Sequence, residues 1–163
     1  MNLFRWIRKE HALRASNRLS RRGNAAAALD LIDQALTENP GSPDLWIQKS
    51  WALSDLKRYD EALAAVAQGL GNDPENGILE LIRGEALYAT GRYEESKAAL
   101  HRALDLSGDN LRIEHSLGIT YVALGEMEPA ARYLESSVRY DKSLVQARLL
   151  AMAERYLFEH RPR

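Results

Sequence analysis

Side chains with catalytic or metal-binding chemistry are few and widely spaced in this chain of 163 residues. It has no cysteine, and no two of its four histidines are spaced four residues apart as in a zinc-binding helix. Phosphate-binding motifs of the GxxxxGK[ST] and GxGxxG types are absent, as is the GxSxG nucleophile motif. Acidic pairs such as Asp60/Glu61 lack the third partner that a catalytic pair needs. The sequence therefore predicts a protein that is not an enzyme and that has no cofactor and no metal site.

Composition and charge limit the class of protein further. Apolar residues make up 45% and charged residues 28% of the chain, which is typical of a globular protein. No apolar run approaches the length of a transmembrane helix, and residues 1–8 lack the pattern of a signal peptide, so a cytoplasmic location is expected. The pI of 6.4 gives no reason to expect nucleic-acid binding. The charge is uneven, however, because residues 1–22 hold seven Lys or Arg and one Glu.

The chain repeats itself with one fixed period, the spacing from Pro40 to Pro74, and this repetition is its strongest signal. Small residues keep one column through four units, and large apolar residues keep another. The small column holds Ala28, Ala62, Ser96 and Ala130, and the large column holds Ile32, Val66, Leu100 and Leu134. Columns that preserve side-chain size over four units predict four copies of one structural unit.

Each unit has the pattern of two helices joined by a tight turn. The spacing of apolar residues over 78–90 and 93–106 indicates two amphipathic helices in the third unit. The turn position is held by Gly23, Lys57, Gly91 and Gly125, and glycine there ends a helix well. Gly84 and Gly118 are expected where the two helices of a pair touch, because a larger side chain would push the axes beyond about 8–10 Å.

This organisation resembles the tetratricopeptide repeat (TPR), a helix–turn–helix unit of about 34 residues. The resemblance is carried by Trp46, Leu117, Gly84, Gly118, Tyr121, Gly91-Arg92-Tyr93, Gly125, Ala28, Ala62, Ala130, Ala35, Ala103, Pro40 and Pro74. It implies an all-α fold, a right-handed α-solenoid of four TPR helix–turn–helix units plus a C-terminal capping helix. The whole chain, 1–163, is then one domain. Its parts are a basic and aromatic arm at 1–8, repeats at 9–42, 43–76, 77–110 and 111–144, and the capping helix at 145–159.

The resemblance also implies a binding groove lined by the first helix of each unit, whose positions 2, 5, 9 and 12 point inward. The groove is expected to be apolar at its centre and acidic along one side. The apolar centre holds Ile47, Trp51, Leu81, Tyr88, Ile119 and Val122, the acidic side holds Asp44, Asp55 and Glu85, and Leu13, Asn17 and His115 complete the set. The alternative is that the superhelix closes and these side chains pack across the groove. The polar clamp with which some TPR proteins hold a chaperone carboxylate is not matched here.

The N-terminal arm interleaves apolar and basic residues, and three interpretations stay open. The arm extends the first helix and caps the solenoid; or it self-associates by entering the groove of a neighbouring molecule; or it contacts an anionic membrane, for which nine residues are few. The apolar residues of the arm are Leu3, Phe4, Trp6 and Ile7.

Taken together, these features predict a non-enzymatic adaptor that binds a protein or peptide partner in the concave groove. The partner is expected to be apolar, with basic residues facing the acidic side of the groove. The alternative is a self-assembling scaffold, hence a homo-oligomer, or a membrane-associated assembly factor, in which the arm makes the contact. No nucleic-acid partner is expected.

Overall fold

The structure is a computed structural model that describes residues 3–108, 110–140 and 144–159. Within these residues the chain forms nine helices and no strand. The helices are α1 Leu3–Arg21, α2 Ala25–Glu38, α3 Pro43–Asp55, α4 Tyr59–Asn72, α5 Gly77–Ala89, α6 Tyr93–Ser107, α7 Leu111–Leu124, α8 Met127–Tyr140 and α9 Leu144–Glu159. The first helices of the second, third and fourth pairs begin one sequence period apart, so the structure follows the repetition of the sequence. The predicted all-α solenoid is confirmed, whereas the extent of the domain over 1–163 stays a prediction.

Each of the four turns that join the two helices of a pair contains one residue in the left-handed conformation. Gly23, Gly91 and Gly125 have φ angles of 74°, 77° and 77°, and Lys57 takes the same conformation with φ of 60°. In each turn the next N–H donates to a carbonyl five residues earlier, as from Arg92 N to Leu87 O at 2.9 Å. This bond closes the end of the first helix. The turn geometry explains why glycine recurs at this position and why Lys57 is the exception.

Close contact between the two helices of a pair depends on a missing side chain. A Cβ added to Gly84 would lie 2.5 Å from Cγ of Leu100, and one added to Gly118 would lie 2.7 Å from Cγ of Leu134. The hydroxyl of Ser96 also donates to the carbonyl of Gly84 at 2.8 Å. The expected contact at both glycines is therefore confirmed. In the third and fourth pairs, a leucine side chain of the second helix packs directly on the glycine backbone of the first.

Unit three replaces the tryptophan of unit two with an ion pair between a buried glutamate and an exposed arginine. The indole of Trp46 donates to the carbonyl of Pro40 at 2.7 Å. One period later Glu80 occupies the Trp46 position and is almost fully buried, and its Oε1 lies 3.1 Å from Nε of Arg102. Arg102 then donates to the carbonyl of Pro74 at 3.2 Å. The arginine thus supplies the donor that the indole supplies in unit two.

The helices form two layers, and their contacts show which layer is concave. Within the described residues, the first helices touch each other in series, α1 with α3, α3 with α5, α5 with α7 and α7 with α9. Over those same residues the second helices α2, α4, α6 and α8 make no such contacts with one another. Because only the inner layer of a curved stack is close-packed along its length, the first helices form the concave face.

Candidate partner-binding surface

The centre of the concave face is a chain of contacts that crosses three helices. Trp51 lies on α3, Glu85 on α5 and Arg112 on α7. The Arg112 guanidinium donates from Nε and Nη2 to the two carboxylate oxygens of Glu85, both at 2.9 Å. Its central carbon lies 4.0 Å from the centroid of the Trp51 ring, within the range of a cation–π contact. Ser116 adds a hydrogen bond of 3.3 Å to Glu85.

The ring of Trp51 packs against buried apolar side chains, which form a floor beneath it. Trp51 and Ile47 are half-buried and pack against the cluster of Val66, Leu79 and Ile82. This packing holds both side chains in place while part of each stays accessible to solvent. Rigid aromatic surface of this kind costs little conformational entropy on binding, so it suits a contact with a partner.

Tyr88, a residue of the predicted apolar centre of the groove, lies near the C-terminal end of α5. Its ring is half-buried and lies 5.4 Å from the ring of Tyr93, centroid to centroid. Burial, with a smaller contribution from Tyr93, raises the pKa of the Tyr88 phenol above its ordinary value. The phenol is therefore neutral at physiological pH.

On α7 the predicted residues His115, Ile119 and Val122 are all half-buried. Val122 packs against the buried cluster that contains Leu117 and Tyr121. Part of each of these side chains is therefore accessible to solvent.

One of the predicted apolar residues, Leu81, belongs to the core rather than to the groove. Leu81 is only 5% exposed and packs with Ile113 and Leu117, so its assignment to the groove is corrected. It lies on the side of α5 that α7 covers, and it fills the contact between the two helices. Leu13 is half-buried against the cluster of Ile32, Leu36 and Leu45, whereas the neighbouring groove residue Asn17 is exposed.

The predicted acidic side carries less free charge than its composition suggests. Asp44 lies 3.2 Å from the ammonium of Lys9, and Glu85 is engaged by Arg112. Asp55 is exposed at the last position of α3. Arg112 occupies the inward position that corresponds to Asp44, so sequence reasoning placed it in the groove, but it did not predict the contacts of Arg112 with Glu85 and Trp51.

The described residues of the N-terminal arm, 3–8, lie in α1, so the arm extends the first helix, whereas its capping of the solenoid stays a prediction. Its apolar side chains are nevertheless exposed in large part: Leu3 is 64% exposed, Phe4 70%, Trp6 43% and Ile7 48%. Ion pairs from Arg8 to Glu38 at 2.6 Å and from Lys9 to Asp44 tie this end of α1 to the body. Self-association and membrane contact by the arm stay predictions.

Family comparison agrees with the geometry of the repeats. Two family models, both described as tetratricopeptide repeat, match residues 19–81 and 83–144. The chain belongs to the tetratricopeptide repeat family. TPR proteins are generally interaction modules without catalytic activity, and solenoids of this kind use an extended concave surface for binding.

Solved structures of other TPR proteins have the same fold. PilF of Pseudomonas aeruginosa superposes with a TM-score of 0.81 at 22% identity, covering 96% of this chain and 71% of that chain. MamA of Desulfovibrio magneticus RS-1 gives 0.79 at 19% identity, with 94% and 87% covered. A thermophilic TPR protein of Thermus thermophilus gives 0.77 at 22% identity, with 94% and 84% covered. At these identities the likeness shows the fold alone. Comparison with curated protein sequences gave no significant match.

Metal-binding clusters and membrane-spanning helices are both missing from the part of the chain that the structure describes. There, no three His, Asp or Glu side chains come close enough to hold a metal ion. None of the described helices combines the length and the apolar character that crossing a membrane requires.

Proposed function

We propose that this TPR solenoid is an adaptor that binds an apolar segment of a partner protein along the concave face of α3, α5 and α7. The observation that carries the proposal is the half-buried Trp51 ring, which lies on an apolar floor and is covered in part by Arg112. Tryptophan and arginine are the residue types most enriched among binding hot spots, and here they touch each other.

The surroundings of Trp51 define the chemistry of the partner. Ile47, one helical turn before Trp51 on α3, and Tyr88 on α5 offer further apolar surface, and both are half-buried. The carboxylate of Glu85 is already held by two hydrogen bonds from Arg112, so a cationic partner side chain would have to compete with that pair. A ligand with aliphatic or aromatic anchors and few charges therefore fits this centre best, and a basic residue fits beside the exposed Asp55.

Peptides selected from a displayed library against the whole chain provide the test. Isothermal titration calorimetry then compares a selected peptide on the unaltered protein, on Trp51→Ala and on Gln68→Ala. Gln68 is exposed on α4, in the outer layer, and serves as the control. We expect Trp51→Ala to weaken binding by about 2 kcal/mol, roughly 30-fold, and Gln68→Ala to leave it unchanged. Equal affinities for all three proteins, with circular dichroism unchanged, would contradict the proposal.

A further inference from the structure

The side of α1 that faces away from the rest of the protein carries a continuous strip of exposed basic and apolar side chains. Ala12 and Ser16 are buried on the side of α1 that faces the body. The opposite side, at intervals of three and four residues, is exposed along the whole helix, which is about 28 Å long at 1.5 Å per residue. Its side chains are Leu3, Phe4, Ile7, His11, Arg14, Arg18 and Arg21, and exposed Arg22 follows in the turn.

The charge of this strip has no counterpart within the described part of the chain. Ion pairs hold Arg8 and Lys9 to the body, but among the described residues none engages the three arginines of the strip or Arg22. Glu10, the one carboxylate of residues 3–22, is half-buried and lies one helical turn before Arg14, but no ion pair joins the two side chains. Arg18 and Arg21 are in the last turn of α1, where cations suit the helix dipole, but Arg14 is a full turn earlier. The arginines therefore remain available to an anionic partner.

The apolar end of the strip indicates what kind of anionic surface this is. Leu3 and Phe4 are the most exposed of the arm's apolar side chains, and they lie on the same rigid helix as the arginines. A nucleic acid would neutralise the arginines but leave these apolar side chains in water. A second copy that used the same face would bring arginine against arginine, which is unfavourable. An anionic bilayer satisfies both halves, because apolar side chains enter the headgroup region while arginines bind lipid phosphates.

We propose that the outer face of α1 docks the solenoid on an anionic lipid surface. The continuity of the helix removes the objection that the arm is too short, because the contact runs from Leu3 to Arg22 rather than over nine residues. The proposal does not depend on the partner-binding function of the concave face.

Co-sedimentation with vesicles tests it, using phosphatidylcholine vesicles with and without phosphatidylserine. We expect the full chain to bind only when phosphatidylserine is present and to dissociate as salt is raised. The double variant Arg14→Gln/Arg18→Gln should lower the partition coefficient about tenfold or more, since each basic residue near an anionic surface contributes severalfold. Phe4→Ser should weaken binding without changing charge. The double variant Lys57→Gln/Arg132→Gln removes the same charge from exposed positions elsewhere and should bind as the unaltered protein does.

Four results would overturn the proposal. Two concern the unaltered protein, which would either sediment with neither vesicle or bind both vesicles equally. The third is that the strip and control variants lose the same amount of binding. The fourth is that a strip variant changes only the oligomeric mass or the binding of nucleic acid. Circular dichroism of every variant establishes that the helices are intact. Because all substituted positions are exposed, folding is expected to survive.

Discussion

The guanidinium of Arg112 lies 4.0 Å from the centroid of the Trp51 ring, although the two residues are on helices separated by α5. The carboxylate that orients the guanidinium, Glu85, belongs to the intervening helix. The concave face is thus held together by a contact that spans three consecutive repeats. A partner that binds Trp51 also meets Arg112, so this pair links the stability of the solenoid to its proposed function.

Replacement of Arg112 should show how much this contact stabilises the solenoid. We expect Arg112→Ala to lower the free energy of unfolding by about 1 kcal/mol, from loss of a partly exposed cation–π contact and a bidentate ion pair. Arg112→Lys should recover less than half of the loss, because an ammonium cannot both stack and bind two oxygens in the same way. Urea unfolding followed by fluorescence measures both. Arg155→Ala, in an exposed pair on α9, is the control and should cost at most about 0.5 kcal/mol.

The close approach at Gly84 leads to a prediction with an internal control. Gly84→Ala places a methyl group 2.5 Å from Leu100, and we expect a loss of about 1–3 kcal/mol because the pair of helices must separate. Gly71→Ala, near the end of α4, meets no atom within 4 Å and should stabilise the protein by up to about 1 kcal/mol. Thermal unfolding of the two variants gives the comparison. If both substitutions changed the stability equally, close contact between the helices would not be the reason for glycine at positions 84 and 118.

Lys57 is strained at a position where three other units have glycine. Its φ of 60° places the residue in the left-handed region, so Lys57→Gly should raise the free energy of unfolding by about 1 kcal/mol. The reciprocal variant Gly125→Ala has open space around its new Cβ but a φ of 77°, and should lose a similar amount. Denaturant titration of both proteins checks the sign. A destabilising Lys57→Gly would mean that the lysine side chain makes a contribution larger than its backbone strain.

The ion pair in unit three predicts an asymmetric response to mutation. Arg102→Leu leaves the buried carboxylate of Glu80 and the carbonyl of Pro74 without this donor, and we expect a loss of about 2–3 kcal/mol. The double variant Arg102→Leu/Glu80→Leu removes the buried carboxylate as well and should regain part of that loss. Differential scanning calorimetry of the single and double variants measures the recovery. A double variant less stable than the single one would contradict this account of the site.

The fold could be read from the sequence because its causes are local and repeated. The repeat period located the first helices α3, α5 and α7, and the glycine turns located their ends. The small side chains at equivalent positions of the repeats predicted the tight contacts at Gly84 and Gly118, because each position has a fixed place in the unit.

The binding surface could be read only in part, because its details depend on how neighbouring repeats tilt against each other. Leu81 and Ile47 share one position of the unit, yet Leu81 is buried and Ile47 is half-buried. The pairing of Glu85 with Arg112 joins residues whose separation differs from the repeat period, so the repetition does not encode it. The exposure of Phe4 likewise depends on α1 extending beyond the residues that pack against it.

Photo-crosslinking of a selected peptide tests the central claim most directly. A benzophenone amino acid replaces Tyr88 on the concave face in one protein and Ala98, which is exposed on α6, in another. The account predicts that the peptide crosslinks to position 88, that Trp51→Ala abolishes this product, and that position 98 gives none. Crosslinking at position 98 but not at position 88 would place the binding surface on the outer layer and would contradict the account.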